Sequence, residues 1–439
     1  MGVYPEHVIF YTIEYMFPVD YAIVGGGITG LYCALKISQK SSDKTILIIE
    51  SDSELGGRIR TNYAKGFQVE KGAARFSENH ETVMSLIHEF KLEEEILPIP
   101  NEKSFVYKNK PIRYDLGEKL QDILKQGKAM DAKLLRKITI FQLCAMLYGS
   151  EEASKIQALF GYDAEFIRLN AEAALTMFET DLFGDSQYYV LKCGFTELVK
   201  RMSEALSQNS NVEIRLGCEV TDVKDRRLTY KVGEQEHKVT CLNTILTTPY
   251  LSLRKFTLFK EVPEIQAVKP IALCRIYAKY PLVDGKPWFH DIHKTTTDNY
   301  LRYVIPMDAK EGIVMYYSDL YCADMWRNWS NVSDDILIEM IHKELALVFP
   351  KKTIPKPTQI KCCHWKAGVH LWRPNYDFKK VSKSLVKPFS DKRIYLAGEC
   401  YSTLQDWVEG ALLSGKECLK ALGEFSGVDK KRKKRTKKR

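Results

Sequence analysis

One glycine run constrains the fold more than any other feature of the chain. Gly25-Gly-Gly-Ile-Thr-Gly30 has GxGxxG spacing and lies between an apolar run, Asp20-Tyr-Ala-Ile-Val24, and a helical stretch from Leu31 to Gln39. Thr45-Ile-Leu-Ile-Ile49 reads as a second buried strand, so this segment predicts a βαβ unit. In such a turn the first glycine makes the tight bend, the second lets the backbone approach a pyrophosphate, and the third lets helix and strand pack closely. The helix N-terminus then aims its amides and dipole at the phosphates. Glu50 ends the second strand, where a carboxylate can accept both ribose hydroxyl protons. A glycine turn alone is weak evidence. With strand, helix and acid in agreement, we expect a dinucleotide against Gly25, Gly27, Ile28, Thr29, Gly30, Glu50 and Ser51.

The next residues narrow the choice of dinucleotide. Glu50-Ser-Asp-Ser-Glu-Leu-Gly-Gly-Arg-Ile-Arg-Thr61 resembles the glycine-glycine-arginine signature of FAD enzymes in the flavin-containing amine oxidase superfamily, which holds monoamine, polyamine and L-amino-acid oxidases. Gly56 and Gly57 let the chain pass close to a cofactor, and Arg58 can pair with its pyrophosphate. No second GxGxxG serves a nicotinamide cofactor. The resemblance continues through Glu70-Lys-Gly-Ala-Ala-Arg-Phe76, which implies that Gly72, Ala73, Ala74 and Arg75 run past the flavin, and through Val220, which implies a backbone against adenine. Gly398-Glu-Cys-Tyr401 and Gln405-Asp-Trp-Val-Glu-Gly-Ala411 resemble the second FAD motif. It implies Glu399 on the ribityl chain, with amides of Trp407, Val408 and Gly410 at a helix N-terminus facing the flavin N1/O2 edge. Partial positive charge there stabilises reduced flavin. No cysteine stands beside Trp372, so FAD is expected to be non-covalent.

The same resemblance implies an aromatic cage before the flavin, with Trp407 as one wall and Trp372, in His364-Trp-Lys-Ala-Gly-Val-His-Leu-Trp-Arg-Pro374, as the other. Two aromatic faces make an apolar slot that admits a neutral amine and excludes water. Many relatives carry a lysine near flavin N5; here alignment puts Arg275, with Lys279 or Lys269 as alternatives. Gly72-Ala-Ala-Arg-Phe-Ser-Glu-Asn-His80 resembles L-amino-acid oxidases, in which the arginine clamps the substrate carboxylate. That makes Arg75 the expected carboxylate ligand, with Tyr303 the nearest tyrosine to the place, occupied by Ile305, where those enzymes supply a hydroxyl. His364 and His370 read as ordinary core or surface residues. The implied reaction is oxidation of an amine or L-amino acid by hydride transfer to flavin N5, giving an imine, with O2 returning the flavin and forming H2O2. Alternatives are a desaturase, porphyrinogen oxidase or mutase on the same scaffold, or a non-catalytic flavoprotein that binds nucleic acid.

The expected fold is a two-domain α/β protein, with an FAD-binding Rossmann-like domain of glutathione-reductase type and an α+β substrate domain. The FAD domain is expected from 17–76, 186–258 and 388–425, and the substrate domain from 77–185, mostly helical, and 259–387. Helical patterns cover 117–126, 132–148, 151–180 and 334–348, and a last helix ends near Gly423. Asn79 is the expected cap of a helix bearing Val83, Leu86, Ile87 and Phe90.

Charge bears on partners. Lysine and arginine number 65 against 56 acids, but nine of the basic residues fall within Lys430 to Arg439, and the rest of the chain is balanced. The tail, 426–439, is therefore expected to be disordered, and to meet a polyanion or an import receptor or simply to solvate the end. Eleven cysteines without a CxxC pair fit reduced thiols and no metal. With no basic-then-apolar leader and no run of about 18 apolar residues, we expect a cytoplasmic or nuclear protein that is neither secreted nor membrane-bound.

Overall fold

The computed structural model describes residues 18–64, 67–182 and 187–424. The expected basic tail and the first sixteen residues lie outside these. A parallel sheet has the strand order Val212–Arg215, Ile46–Ile49, Val19–Val24, Gln235–Leu246, Ile394–Leu396. All four residues of Ile46–Ile49 are buried, as parallel strands covered on both faces require. The strand period of two divides them: Leu47 and Ile49 join one apolar cluster, Ile46 and Ile48 the other. The Gln235–Leu246 strand also turns back through Arg227–Val232 and Cys218–Lys224 in an antiparallel meander. Its burial alternates there and becomes continuous once it enters the parallel sheet.

A second sheet has the order Gln359–Trp372, Val268–Lys279, Ile313–Asp319, Tyr303–Asp308, Lys294–Thr297, Lys103–Tyr107, Lys110–Ile112. Its last two strands depart from the helical expectation for 77–185. They are short and mostly solvent-facing, so they carry no apolar alternation to read; pairing of Lys103–Tyr107 with Lys294–Thr297 makes them strands. The helical patterns in 132–180 divide into Ala132–Leu135, Ile140–Tyr148, Ser150–Phe160, Asp163–Ile167 and Ala171–Met177. Caps make the breaks: Thr139 and Gln142 form a capping box, Gly161 is left-handed, and Asn170 accepts from the Ala173 amide.

Helices Ile28–Lys40 and Val408–Leu422 pack together, and Thr29 Oγ1 donates to the Ala411 carbonyl (3.3 Å). The two glycine-bearing motifs at opposite ends of the chain thus meet. The last helix stops at left-handed Gly423 as expected. No described helix is long and apolar enough to cross a membrane.

Candidate active site

A cavity of about 620 Å³ runs from the edge of the parallel sheet to the face of the second. At its first end stand Gly25, Gly27, Ile28, Thr29, Glu50 and Ser51. Gly25 has φ +110°, which an L side chain rarely adopts, and a Cβ on Gly30 would lie 2.0 Å from the Gly25 carbonyl oxygen. Gly30 therefore packs behind the wall and does not line it, a correction to its expected cofactor contact. Helix Ile28–Lys40 has no side-chain cap and no acid in its first turn, so its leading amides face the cavity uncompensated. Glu50 is fixed by three donors: the Gly26 amide (2.6 Å), the Asp52 amide (2.8 Å) and Ser51 Oγ (3.1 Å). Amides for a pyrophosphate and a buried carboxylate for a ribose fit a dinucleotide such as FAD.

Gly57, Arg58, Gly72, Ala73, Ala74, Val220, Glu399 and Val408 continue the lining. Arg58 Nη1 donates to Glu399 Oε2 (2.7 Å) and to the Gly368 carbonyl (2.8 Å). Glu399 also accepts the His370 amide and His370 Nδ1, both at 2.8 Å. Burial pushes the Glu399 carboxyl up, but Arg58 and His370 together more than offset this and hold it down at about 2. His370 is wholly buried and orients that carboxylate; the His364 ring is largely covered and bonds the exposed Asp324. Gly410 does not line the cavity, against expectation. A Cβ there would stand 1.5 Å from the Leu404 carbonyl oxygen, so this glycine lets the helix start press on the preceding loop.

The far end is built by strand register. Along Val268–Lys279, Ile271, Leu273 and Arg275 point the same way and line the cavity. Arg275 pairs across the sheet with Cys363 on one side and Tyr317 on the other, and its guanidinium carbon sits 5.5 Å from the Tyr317 ring centre. Its Nη1 donates to the Glu70 carbonyl (3.2 Å). Lys279 instead pairs with Glu311 at the end of the strand, and Lys269 is exposed. Burial, then Cys362 beside it, pushes the Cys363 thiol up to about 11.

Trp407 lines the cavity, stacked on Tyr188 (5.7 Å, 12°) and edge-on to His80 (4.8 Å). Trp372 does not face it. That ring is 1 % exposed, packs on Phe378 and Tyr401, and donates its indole N–H to the Ser402 carbonyl (3.0 Å). Trp365, on the same strand, lines the cavity instead, its indole N–H held by the Lys71 carbonyl (2.6 Å). Arg75 lines the cavity with its guanidinium carbon 5.9 Å from the Trp407 ring centre, and Nη2 donates to the Tyr162 hydroxyl (3.0 Å). No acid pairs with it among the described residues. Tyr303 is a further correction: it is buried behind Tyr162, ring centres 4.9 Å apart, with its hydroxyl donating to the Phe160 carbonyl. Tyr162 and Tyr317, which sequence patterns did not single out, hold the cavity positions.

The model of the flavin containing amine oxidoreductases matches residues 28–418. An L-amino-acid oxidase of Bothrops atrox is 23 % identical over an alignment covering 94 % of this chain and 90 % of its own. Uncharacterized protein R188 of Acanthamoeba polyphaga mimivirus is 21 % identical, covering 94 % and 96 %. A solved structure from Exiguobacterium sp. 255-15, named as a protoporphyrinogen oxidase, shares the fold with a TM-score of 0.69 at 15 % identity, over 93 % of this chain and 99 % of that one. With a matched span of this length, and a cavity shaped for a dinucleotide at one end and an organic substrate at the other, the chain belongs to the flavin-containing amine oxidoreductases and takes FAD as its cofactor.

Proposed function

We propose that this protein is an oxidase of an L-α-amino acid and holds FAD non-covalently. The observation that supports it most is Arg75. A planar, permanently charged guanidinium inside the cavity, without an acid partner, is suited to a bidentate carboxylate contact. Lys294 Nζ lies 4.8 Å from the Tyr303 ring behind it, and burial, then the charges of Arg75 and Lys103, push that amine well below its ordinary range, which favours its neutral form. A simple amine or polyamine brings no anion to this end and would meet repulsion.

Arg75 and the Tyr162 hydroxyl fix the substrate carboxylate, while Trp407 and Trp365 confine the α-carbon between aromatic surfaces and exclude water. The Arg75 and Arg275 charges favour the neutral α-amine over its ammonium form, as hydride departure requires. FAD held by the glycine turns, Glu50, Arg58 and Glu399 in the first half of the cavity would supply the two-electron, hydride-accepting chemistry, with O2 as the final oxidant and H2O2 as its product. The amine nitrogen loses one proton as the C=N bond forms, and water then releases the keto acid and ammonia. The elevated Cys363 thiol, the cysteine beside Arg275, is a poor nucleophile, which supports non-covalent FAD.

Anaerobic mixing of the FAD-loaded protein with amines and amino acids tests the reading through loss of flavin absorbance. An L-amino acid is expected to bleach it fastest. A monoamine or spermidine outrunning every L-amino acid would overturn the proposal. Acid precipitation checks the attachment, since non-covalent FAD stays in the supernatant.

A further inference from the structure

The cavity carries a charge feature that a carboxylate clamp does not use. Glu165, from the short helix Asp163–Ile167, Asp319, from the end of strand Ile313–Asp319, and Asp406, the residue before Trp407, all line it. Three elements distant in sequence thus deliver carboxylates to one place. Burial, then Asp406 and Asp319, push the Glu165 carboxyl well above its usual range. Asp319 is 2 % exposed; Oδ2 accepts the Ala164 amide (2.8 Å), while buried Oδ1 has no hydrogen-bond partner. Arg302, whose charge favours ionised Asp319, is itself paired with Asp163 (2.8 Å). Neither Glu165 nor Asp319 has a lysine or arginine in ion-pair contact among the described residues.

Carboxylates withdrawn from water in this way, Asp319 fully and Glu165 and Asp406 in part, are costly unless a cation reaches them. They also sit close to the clamp: Asp406 adjoins the tryptophan that carries Arg75 on its face, and Glu165 lies three residues beyond Tyr162, which bonds Arg75. We propose that Glu165, Asp319 and Asp406 form a cation subsite, and that the preferred substrate is an L-amino acid whose side chain ends in an ammonium or guanidinium group. This deepens, and rests on, the amino-acid reading above. The carboxylate meets Arg75, the neutral α-amine lies between the aromatic rings, and the distal cation meets the three acids. A diamine satisfies the acids and leaves Arg75 opposed; an aliphatic amino acid satisfies Arg75 and leaves Asp319 Oδ1 unpartnered.

The test compares anaerobic flavin reduction of the FAD-loaded full chain by L-lysine, L-ornithine and L-arginine with L-norleucine, which keeps the carboxylate and lacks the cation, and cadaverine, which keeps the cations and lacks the carboxylate. The best basic amino acid is expected to exceed L-norleucine by about tenfold or more in reduction rate over dissociation constant. Glu165→Gln is expected to lower that ratio by about tenfold. If L-norleucine matches or beats every basic amino acid, the subsite is wrong and the amino-acid reading survives. If cadaverine is fastest, or nothing reduces the flavin, both fall. Should the variant fail to retain FAD, the wild-type ratio decides alone.

Discussion

At the scale of single residues, the site divides into what lies near a motif and what the fold delivers. Glycines 25 and 27, Glu50, Arg75 and Trp407 were legible because turn chemistry or a local motif fixes them. Tyr162, Glu165, Tyr317 and Asp319 were not, because only the pairing of Arg275 with Tyr317, and of Leu273 with Asp319, brings the latter two to the cavity. Trp365 was missed in favour of Trp372 for a related reason. The two stand seven residues apart on one strand, so the period of two puts them on opposite faces, and the two extra residues between Val369 and Trp365 keep that parity. Glu399 yields a pH prediction. Its folded pKa of about 2 lies below the ordinary 4.5, so its stabilisation is present above 4.5 and lost as pH falls through about 2. The displacement corresponds to about 3 kcal/mol. In acid titrations of FAD-loaded protein, Glu399→Gln should be clearly less stable than wild type at pH 7, with the gap closing below pH 4.5. A pH-independent gap would contradict this account of Glu399.

At the scale of elements, the structure replaces one expected cap with another. Helix Glu81–Glu89 begins after His80, without a side-chain cap of its own. The buried Glu409 carboxylate, at the start of the last helix, accepts the Thr82 amide (3.0 Å), the Val83 amide (2.9 Å) and Thr82 Oγ1 (2.6 Å). Asn79 was the local candidate; a carboxylate more than three hundred residues away was invisible to any local pattern. Glu409→Ala leaves these donors buried and is expected to cost about 1–3 kcal/mol in chemical denaturation. An unchanged midpoint would mean the helix finds its cap elsewhere. Gly410→Ala drives a methyl into the Leu404 carbonyl and should lower FAD retention on gel filtration, since the same turn presents Val408 to the cavity.

At the scale of the molecule, the α/β class and the two-sheet architecture follow from patterns that sequence carries well: a buried βαβ start, a later sheet-rich region and a final strand feeding a helix. The short strands Lys103–Tyr107 and Lys110–Ile112 did not, because the first depends on a parallel partner, Lys294–Thr297, supplied from much later in the chain, and the second pairs with the first. Every residue assigned to the site lies before residue 425, so deletion of 430–439 is expected to leave kcat/KM unchanged and to weaken retention on a polyanion column; a large loss of turnover would contradict this. The central claim is that Arg75 anchors a substrate carboxylate in a cavity otherwise built for flavin and an amine. The most direct measurement is steady-state kinetics of Arg75→Met on the best L-amino acid, with FAD content checked by absorbance. The account predicts full FAD occupancy, a raised KM and a loss in kcat/KM of about 2–5 kcal/mol, the range for removing one partner of a buried charge pair. A fully loaded variant with unchanged kcat/KM would contradict it.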